Sequence, residues 1–523
     1  MSSNPAPGYH GIVHRLASSF NFRLAYSCGL ITLSQLNFGM DQGAFANTQA
    51  MPAFVRKFGV HDARTGGHKL EPYFLSLLNS LPYIGFAFGL VLGNAISAMW
   101  GRRRCFLVMT AWAITGATIL VSSRNRWQMM AGRIVATVYI GMELAVVPVL
   151  QSELVPGPVR GFVVATYQSS LLCGQLIQAL VCRGTSTLEG DQSWLIPFGL
   201  LFVVPVLLLC GVWYLPESPR WLLQKDRPEE AMANLRLLRE GRFSDAEIES
   251  EFERYKATIN DTVEQGRFRE IFEGRMAVNL KRTLIVIGTN IFLQLTGQNF
   301  ASIYGTYFIG SIGVVNPFTI TSINTSVNIF MTLVTQCLTD RVGRIPLMLA
   351  GATIQTGALF TMGGLGTNSD PSFSIKMGIV IMVTIFGIGF QLGWAPLSHV
   401  IAAEVPTQRL RDKTYAVGSV FNIALQFLIS FSIPYLINVE YVGLGSKVGF
   451  IFGSAAFGAA LFTWFCIPEC SGRTLEEIDQ LFLRRTPIRQ FKEAGRLLHE
   501  EAMAEEALEV MEEPYKSSHK GIP

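Results

Sequence analysis

Charged residues are scarce in this chain of 523 residues: Asp, Glu, Lys and Arg make up 15%, whereas hydrophobic residues make up 50%. Ordinary soluble domains carry roughly 25% charged residues. A soluble chain of this length would divide into about three or four domains with polar linkers, yet long apolar runs continue almost to its end. The composition therefore excludes an ordinary soluble protein and indicates a chain that folds mainly in lipid.

The sequence also lacks motifs for catalysis, metal binding or nucleic-acid binding. It has no phosphate-binding loop, no metal-ligand spacing and no nucleophile elbow in a loop context. A net charge of +4 is too small, and too interleaved with acidic residues, to indicate a nucleic-acid partner. The eight cysteines show no repeated CxxC spacing, so neither disulfides nor a metal site is implied. We therefore predict no enzymatic activity, no cofactor, no metal and no nucleic-acid partner.

Twelve apolar runs are long enough to cross a bilayer, whose core of about 30 Å needs about 20 helical residues. Several contain glycines at a spacing of four, such as Gly85, Gly89 and Gly93, which let helices pack closely where lipid provides no hydrophobic drive for association. The sequence thus predicts an all-α membrane protein. The predicted spans are 24–46, 72–98, 104–122, 127–150, 161–182, 194–215, 283–310, 317–339, 345–366, 376–400, 413–437 and 447–467.

The runs divide the chain into five predicted parts. The amino terminus lacks a cleavable signal, so we expect the first run to be an uncleaved signal anchor with residues 1–23 in the cytoplasm. Basic residues in the short loops predicted to be inside fit the positive-inside rule, although the first outside loop, 47–71, carries four of its own. The predicted parts are a cytoplasmic segment 1–23, an amino-terminal six-helix bundle 24–215, a cytoplasmic loop with short helices 216–282, a carboxyl-terminal six-helix bundle 283–467 and a cytoplasmic tail 468–523.

Two soluble stretches have helical patterns. In the loop, residues 231–240 and 246–255 are amphipathic and predict short surface helices, which suit either a solvated linker or a gating collar. In the tail, the acidic run 499–514 also predicts a helix.

The two halves of the chain repeat the same loop signatures. GRR at 101–103 corresponds to DRVGR at 340–344, and PESPR at 216–220 corresponds to PECSGR at 468–473. In each half a glutamate stands seven residues before an arginine, Glu153 before Arg160 and Glu404 before Arg411. The two members of each pair are separated by nearly the same number of residues. This repetition predicts two six-helix halves with a substrate site between them at mid-membrane.

The residues resemble the sugar porter family of the major facilitator superfamily over nearly the whole membrane portion. The motifs that carry this resemblance are PESPRWL at 216–222, GRRR at 101–104, GR at 132–133, LQLTGQN at 293–299, DRVGR at 340–344 and RTLEEID at 473–479. GQN at 297–299 and EVPTQRLRDKT at 404–414 resemble fungal members, including the branch of the α-glucoside permeases. The resemblance implies a major facilitator fold of twelve transmembrane helices and alternating-access transport of a sugar, polyol or related solute.

Asp41, in FGMDQG, lies inside the first apolar run, where an ionised carboxylate is costly unless it is paired, protonated or facing a cavity. By resemblance, the matching aspartate of proton-coupled sugar porters takes up the proton, and the arginine matching Arg133 biases its ionisation. We therefore assign Asp41 and Arg133 to proton coupling, the alternative being an ordinary buried ion pair.

Amide side chains suit a neutral polyhydroxylated solute because each both donates and accepts hydrogen bonds. For any one amide, a hydrogen bond between helices is an equal alternative to ligand contact. By resemblance, the substrate-binding candidates are Gln168, Gln175, Gln294, Asn299, Asn328 and Asn422.

The chain departs from the family pattern at several pocket positions, where Leu293, Ile303, His399 and Ile423 replace a glutamine, a tyrosine and two tryptophans. A plain glucose or xylose site is therefore in doubt, and a disaccharide, a quinate-like acid or a specialised metabolite stays open. His399 could titrate, although packing and neutral hydrogen bonding are alternatives. Trp394 is the candidate to replace the lost stacking surface.

By resemblance, glutamates and arginines at the inner face form salt bridges that tie the halves together when the transporter faces outward. A network of such pairs can set which state is populated, although each exposed pair is worth only about 0–1 kcal/mol. Ala98 stands where the family usually has an aspartate, which weakens the symmetry of this gate. The gate candidates are Arg102, Glu153, Arg160, Glu217, Arg220, Asp340, Arg344, Glu404, Arg411, Glu469 and Arg473.

The leading hypothesis is a monomeric sugar:proton symporter in the plasma membrane, whose partners are the solute, protons and the lipid bilayer. Two alternatives remain open: a transporter-like nutrient receptor that binds solute without flux, and a carrier of a specialised metabolite or quinate-like acid in either direction.

Overall fold

The computed structural model describes residues 19–61, 66–260, 268–272, 277–368, 370–407, 409–471, 473, 475–491 and 493–494. Most of the predicted segment 1–23 and the whole acidic run 499–514 lie outside these residues.

Six helical spans form the amino-terminal half. The second is two abutting helices, Pro72–Ser80 and Pro82–Trp100, and the sixth contains short 3₁₀ turns at Leu200–Phe202 and Val212–Tyr214. The spans are, in order, Phe22–Thr48, Pro72–Trp100, Arg102–Val121, Arg126–Leu154, Gly157–Thr185 and Gln192–Tyr214.

Six more spans form the carboxyl-terminal half, which confirms the predicted twelve. The seventh span is broken into Ala277–Leu295, Gln298–Ile303 and Gly305–Ile312. The remaining spans are Pro317–Val342, Arg344–Leu365, Phe373–Glu404, Arg411–Ile437 and Gly445–Cys466.

Eight of the described spans are long and apolar enough to be recognised as membrane-crossing from length and hydropathy alone. The first, fifth, seventh and eighth spans do not meet that measure. The seventh is broken, and the other three carry polar side chains such as Asp41, Gln168 and Asn328 within the helix. The four less apolar spans are thus those that hold most of the candidate site.

Glycines bring the backbones of neighbouring spans into direct contact. A Cβ atom on Gly39 of the first span would lie 1.8 Å from the carbonyl oxygen of Leu171 in the fifth, and one on Gly89 of the second would lie 2.0 Å from that of Val138 in the fourth. Only glycine fits such a contact, so the predicted role of Gly85, Gly89 and Gly93 in close packing is confirmed.

The bundle has two distinguishable ends, which we call outer and inner. The outer end holds the connection between the first two spans, with a helix Pro52–Phe58 and a two-stranded antiparallel ribbon of Val60–His61 and His68–Lys69. The inner end holds the helices that follow the sixth and twelfth spans. These are Pro219–Gln224, Pro228–Arg239, Asp245–Asn260, the 3₁₀ turns Phe268–Ile271 and Ile488–Gln490, and Leu475–Leu483.

The two predicted amphipathic stretches of the loop are helical. Their apolar faces, including Leu235 and Phe252, pack with Trp221 in a small core of their own. Arg239 is fully buried and donates to the Leu154 carbonyl oxygen at 2.9 Å and to Glu251 at 3.0 Å. This contact fastens the loop helices to the inner end of the fourth span.

We predict that Gly39→Ala destabilises the protein by about 1–3 kcal/mol or prevents folding, because the new methyl group overpacks a backbone-to-backbone contact. Thermal unfolding of the purified protein in detergent measures the effect. Gly357→Ala is the matched control, since a Cβ there has nothing within 4 Å. Equal melting temperatures for the two variants would contradict the packing described here.

Candidate functional site

Asp41 and Arg133 form an ion pair inside the amino-terminal half. Asp41, in the first span, is 2% exposed, and Arg133, in the fourth, is 8% exposed. Arg133 Nη1 donates to Asp41 Oδ2 at 3.2 Å, and the guanidinium carbon lies 3.9 Å from the centre of the Phe45 ring. The carboxylate therefore has a cation beside it, and the cation also has an aromatic face, which offsets the desolvation of both charges.

Polar contacts continue from this pair towards the inner end, along the line where the first and fourth spans run antiparallel. Asn37 Nδ2 donates to Tyr139 Oη at 2.9 Å, and Gln35 Nε2 donates to Gln151 Oε1 at 3.1 Å. A small cavity of about 10 Å³ lies between Asp41, Asn37 and Tyr139, with apolar walls from the third and sixth spans. A cavity of this size holds about one water molecule.

Three of the predicted amides meet between the seventh and eleventh spans. Gln294 Nε2 donates to Asn422 Oδ1 at 3.3 Å, and Asn422 Nδ2 donates to Asn290 Oδ1 at 3.1 Å. Asn299 Nδ2 donates to Ser430 Oγ at 3.0 Å. We call these residues, together with Gln426, the amide cluster.

The break in the seventh span positions part of this cluster. Gly297 has φ +96, a left-handed conformation that favours glycine, and a Cβ there would lie 2.9 Å from the Phe452 ring. The helix therefore stops at Leu295 and restarts at Gln298, which turns Asn299 towards the eleventh span.

The other predicted amides lie apart from the amide cluster. Gln175, in the fifth span, donates to Gln42 Oε1 at 2.8 Å and so pairs with the first span. Gln168 and Asn328 are half-buried on the fifth and eighth spans, two spans from opposite halves that pack against each other. Among the described residues, the candidates therefore do not form a single hydrogen-bonded set.

The two candidate ring residues of the tenth span have different environments. Trp394 ends a π-helical turn, Phe390–Trp394, and is fully buried with its ring 6.4 Å from that of Phe292. It therefore has no free face for a solute in this conformation. His399 is exposed, and its Nδ1 lies 3.3 Å from Tyr415 Oη of the eleventh span.

At the inner end, the same arrangement occurs in each half. Arg102 pairs with Glu153 at 3.0 Å and Arg344 pairs with Glu404 at 3.0 Å, so both pairs stay within one half. Each pair therefore joins the inner ends of two spans within the same half.

Glu217 and Glu469 bind the first turns of the third and ninth spans. Glu217 accepts from the backbone N–H groups of Arg102 and Arg103, at 2.9 and 3.1 Å. Glu469 accepts from those of Arg344 and Ile345, both at 3.0 Å. Burial raises the pKa of Glu217, although the backbone N–H donors oppose that rise. A carboxylate at a helix amino terminus satisfies orphan N–H groups and suits the helix dipole.

The remaining gate candidates have varied surroundings. The side chains of Arg160 and Asp340 lie outside the described part of the structure. Arg220 lies 4.6 Å from the centre of the Tyr255 ring, and Arg473 donates to the carbonyl oxygen of Phe491. Nε and Nη2 of Arg411 are buried without a hydrogen-bond partner among the described residues.

Contacts between the two halves occur at the outer end. Thr306 Oγ1 donates to Asn47 Oδ1 at 3.0 Å, and Ser76 Oγ donates to the Phe431 carbonyl oxygen at 2.7 Å. Gln49 Nε2 donates to the Ile303 carbonyl oxygen. The structure therefore has its outer end closed.

Sequence reasoning missed several polar residues of the site. Asn290 is four residues before Gln294, and Gln426 is four residues after Asn422, so helical spacing would have placed both beside residues already chosen. Glu143 is a carboxylate within the fourth apolar run, the same signal that identified Asp41.

Comparison with known proteins identifies the family of this chain. The family described as "Sugar (and other) transporter" matches residues 27–482. A high glucose sensor of Saccharomyces cerevisiae is 29% identical over 461 residues, which is 86% of this chain but 59% of the sensor. A hexose transporter of the same yeast is 28% identical over 455 residues, 85% of this chain and 80% of that protein.

Solved structures with the same fold include the xylose transporter XylE of Escherichia coli. Its inward open conformation matches with a TM-score of 0.72 and 21% identity, covering 87% of this chain and 98% of that one. The structure of this proton:xylose symporter bound to 6-bromo-6-deoxy-D-glucose matches with a TM-score of 0.69 and 21% identity, covering 88% and 99%. The twelve spans thus adopt the major facilitator fold, and the chain belongs to the sugar transporter family of multi-pass membrane proteins.

Proposed function

We propose that the protein is a monomeric proton symporter that carries a hexose or a related polyhydroxylated solute across the plasma membrane by alternating access. The observation that carries this proposal is the buried ion pair of Asp41 and Arg133 beside a cavity large enough for one water molecule. Family membership assigns the chain to transport rather than to an enzymatic reaction.

The pair supplies the chemistry of coupling. Next to Arg133 the Asp41 carboxyl is stabilised as the anion, because the opposite charge lies 3.2 Å away. When the first and fourth spans shift and this contact lengthens, the anion loses its counterion and binds a proton from water. A neutral carboxylic acid costs far less to bury than a carboxylate, so proton uptake permits the closure that follows.

The amide cluster supplies donors and acceptors for a neutral solute. Its members now bond to one another, so hydroxyl groups of the solute must replace amide-to-amide hydrogen bonds of similar strength. Such an exchange allows a solute to bind without being trapped. The relatives named above are a glucose sensor and a hexose transporter, which favours a hexose among the solute classes.

Alternating access requires one end to open as the other closes. Here the outer end is closed by contacts between the halves, while the pairs Arg102–Glu153 and Arg344–Glu404 each stay within a half. The buried, unpartnered atoms of Arg411 suit a residue whose partner belongs to the other state. We infer that the gate candidates rearrange across the halves when the inner end closes.

A nutrient receptor is the second candidate function, because one relative of similar identity is a high glucose sensor. Uptake of labelled solutes into cells that lack their own transporters separates the two. A screen across hexoses, disaccharides, polyols and quinate at several external pH values should show pH-dependent flux. Binding without flux for every solute would favour the receptor.

We predict that Asp41→Asn abolishes solute-driven alkalinisation of the medium, because an amide cannot exchange a proton, while solute exchange at equal concentrations continues. External pH and counterflow of labelled glucose provide the two readouts. Asp41→Glu, which keeps a carboxyl group that can exchange a proton, is the control and should retain alkalinisation. Unchanged proton uptake by Asp41→Asn would refute the coupling role.

We predict that His399→Trp shifts solute preference towards simple hexoses, because an indole face at this exposed position can stack on a sugar ring. Competition by unlabelled sugars against labelled glucose measures the shift. His399→Asn removes the imidazole without adding a ring, so only the tryptophan variant should show it. An unaltered competition profile would place the binding pocket elsewhere.

We predict that Arg102→Gln destabilises the protein more than the double substitution Arg102→Gln/Glu153→Gln. The single change leaves the Glu153 carboxylate, which is 10% exposed, without its cation and lowers the free energy of unfolding by about 3–5 kcal/mol. The double change removes both charges. Thermal unfolding in detergent compares the two. A double variant less stable than the single one would show that the pair contributes net stability.

A further inference from the structure

Glu143 is a second buried carboxyl group in the amino-terminal half. It lies in the fourth span with a fully buried side chain, and neither carboxyl oxygen has a hydrogen-bond partner among the described residues. The Ser34 hydroxyl of the first span faces it. An ionised carboxylate without a cation is costly in such a place, so these surroundings favour the neutral acid at Glu143.

The groups around Glu143 are mostly phenols. Tyr139 lies one turn earlier on the fourth span, and Tyr167 of the fifth span is within electrostatic range of Glu143. The first span contributes Asp41, which lies beside Arg133, ten residues before Glu143 on the fourth span. The second span packs its backbone, at Gly89 and Leu90 among others, against Gly141 of the fourth span. Along the third span the charged groups lie at its inner end, which begins with Arg102, Arg103 and Arg104.

Asp41 and Glu143 are connected by polar groups. The small cavity beneath Asp41 is lined by Asn37 and Tyr139, and Asn37 donates to the Tyr139 hydroxyl at 2.9 Å. Tyr139 and Glu143 are four residues apart and therefore share a helix face. Along the fourth span, Glu143 is ten residues, or about 15 Å, nearer the inner end than Arg133.

A second set of groups leads from Glu143 to exposed side chains of the carboxyl-terminal half. Tyr167 is half-buried with its hydroxyl buried, and it interacts electrostatically with both Glu143 and Tyr415. Tyr415 of the eleventh span is 39% exposed and contacts the exposed His399. Tyr167 thus interacts both with buried Glu143 and with an exposed side chain of the other half.

The surroundings of the two carboxyl groups differ. Asp41 lies 3.2 Å from the Arg133 guanidinium, which favours its anion, whereas the oxygens of Glu143 have no partner among the described residues, which favours its neutral acid. The outer end is closed at the same time. These surroundings suit a conformation in which Asp41 has given up its proton and Glu143 holds one.

We propose that Glu143 is an inner proton-relay residue that receives the proton of Asp41 and releases it to the cytoplasm. Glu143 first gives its proton to water through the Tyr167 hydroxyl, which accepts that proton and releases its own. The Asp41 acid then passes its proton through one water to Tyr139 Oη. A change of side-chain rotamer brings the Glu143 carboxylate to the Tyr139 hydroxyl, from which it takes the phenolic proton. Asp41 is left ionised beside Arg133, and one proton has crossed in total. The relay rests on the proposed proton symport.

Glu143→Gln tests the relay in the purified full-length protein reconstituted into liposomes. Infrared difference spectra after a pH jump should contain a carboxylic-acid C=O band that Glu143→Gln removes and Asp41→Asn retains. With D-glucose as the probe, Glu143→Gln should keep counterflow but lose glucose-driven proton movement to the level of liposomes without protein. Tyr139→Phe should lose proton movement while keeping the Glu143 band, and it serves as the test if Glu143→Gln does not fold.

Gln355→Met is the matched control, since Gln355 in the ninth span is equally buried with no hydrogen-bond partner among the described residues and lies far along the chain from the relay. It should behave like the unmodified protein in every assay. The relay is overturned if no C=O band depends on Glu143, or if Glu143→Gln moves protons with glucose at the unmodified rate. Proton-free glucose flux in the unmodified protein would instead refute the proposed symport itself, so the two failures are distinguishable.

Discussion

A buried charged pair, which bulk water does not reach, constrains how the spans of the amino-terminal half can move relative to one another. Asp41 and Arg133 belong to different spans, so the first and fourth spans must stay in register for the pair to form. Glycine contacts hold the fourth span closely against the second, and the first closely against the fifth. Because an unpaired charge is so costly there, we propose that a movement that separates the pair is accompanied by a change of protonation.

Most of the fold was predictable from the sequence because its signals are local. A bilayer selects apolar runs of a fixed length, and all twelve spans were located this way. Their ends were less accurate, as in the tenth span, predicted at 376–400 and observed at Phe373–Glu404, because polar residues near an inner end can extend a helix beyond its apolar part. The break at Gly297 was not predicted, since glycine is common in membrane helices and only the nearby Phe452 ring shows why this one is required.

The candidate site was predictable residue by residue but not as an arrangement. Asp41 stood out as a carboxylate in an apolar run, and its partner Arg133 came from the family resemblance. Which amides contact one another depends on the rotation of each span about its axis, which no single run encodes. Gln294 and Asn422 therefore meet, whereas Gln175 pairs with Gln42 in the other half.

The closed outer end has a consequence for how the protein can vary. Ser76 and Gln49 both donate across the halves to carbonyl oxygens of the main chain, at Phe431 and Ile303. Every amino acid has a main-chain carbonyl oxygen. Substitution of Phe431 or Ile303 therefore keeps the acceptor of each contact, whereas the donors depend on the side chains of Ser76 and Gln49. Side chains of the carboxyl-terminal half can therefore change with solute preference near these two hydrogen bonds without removing them.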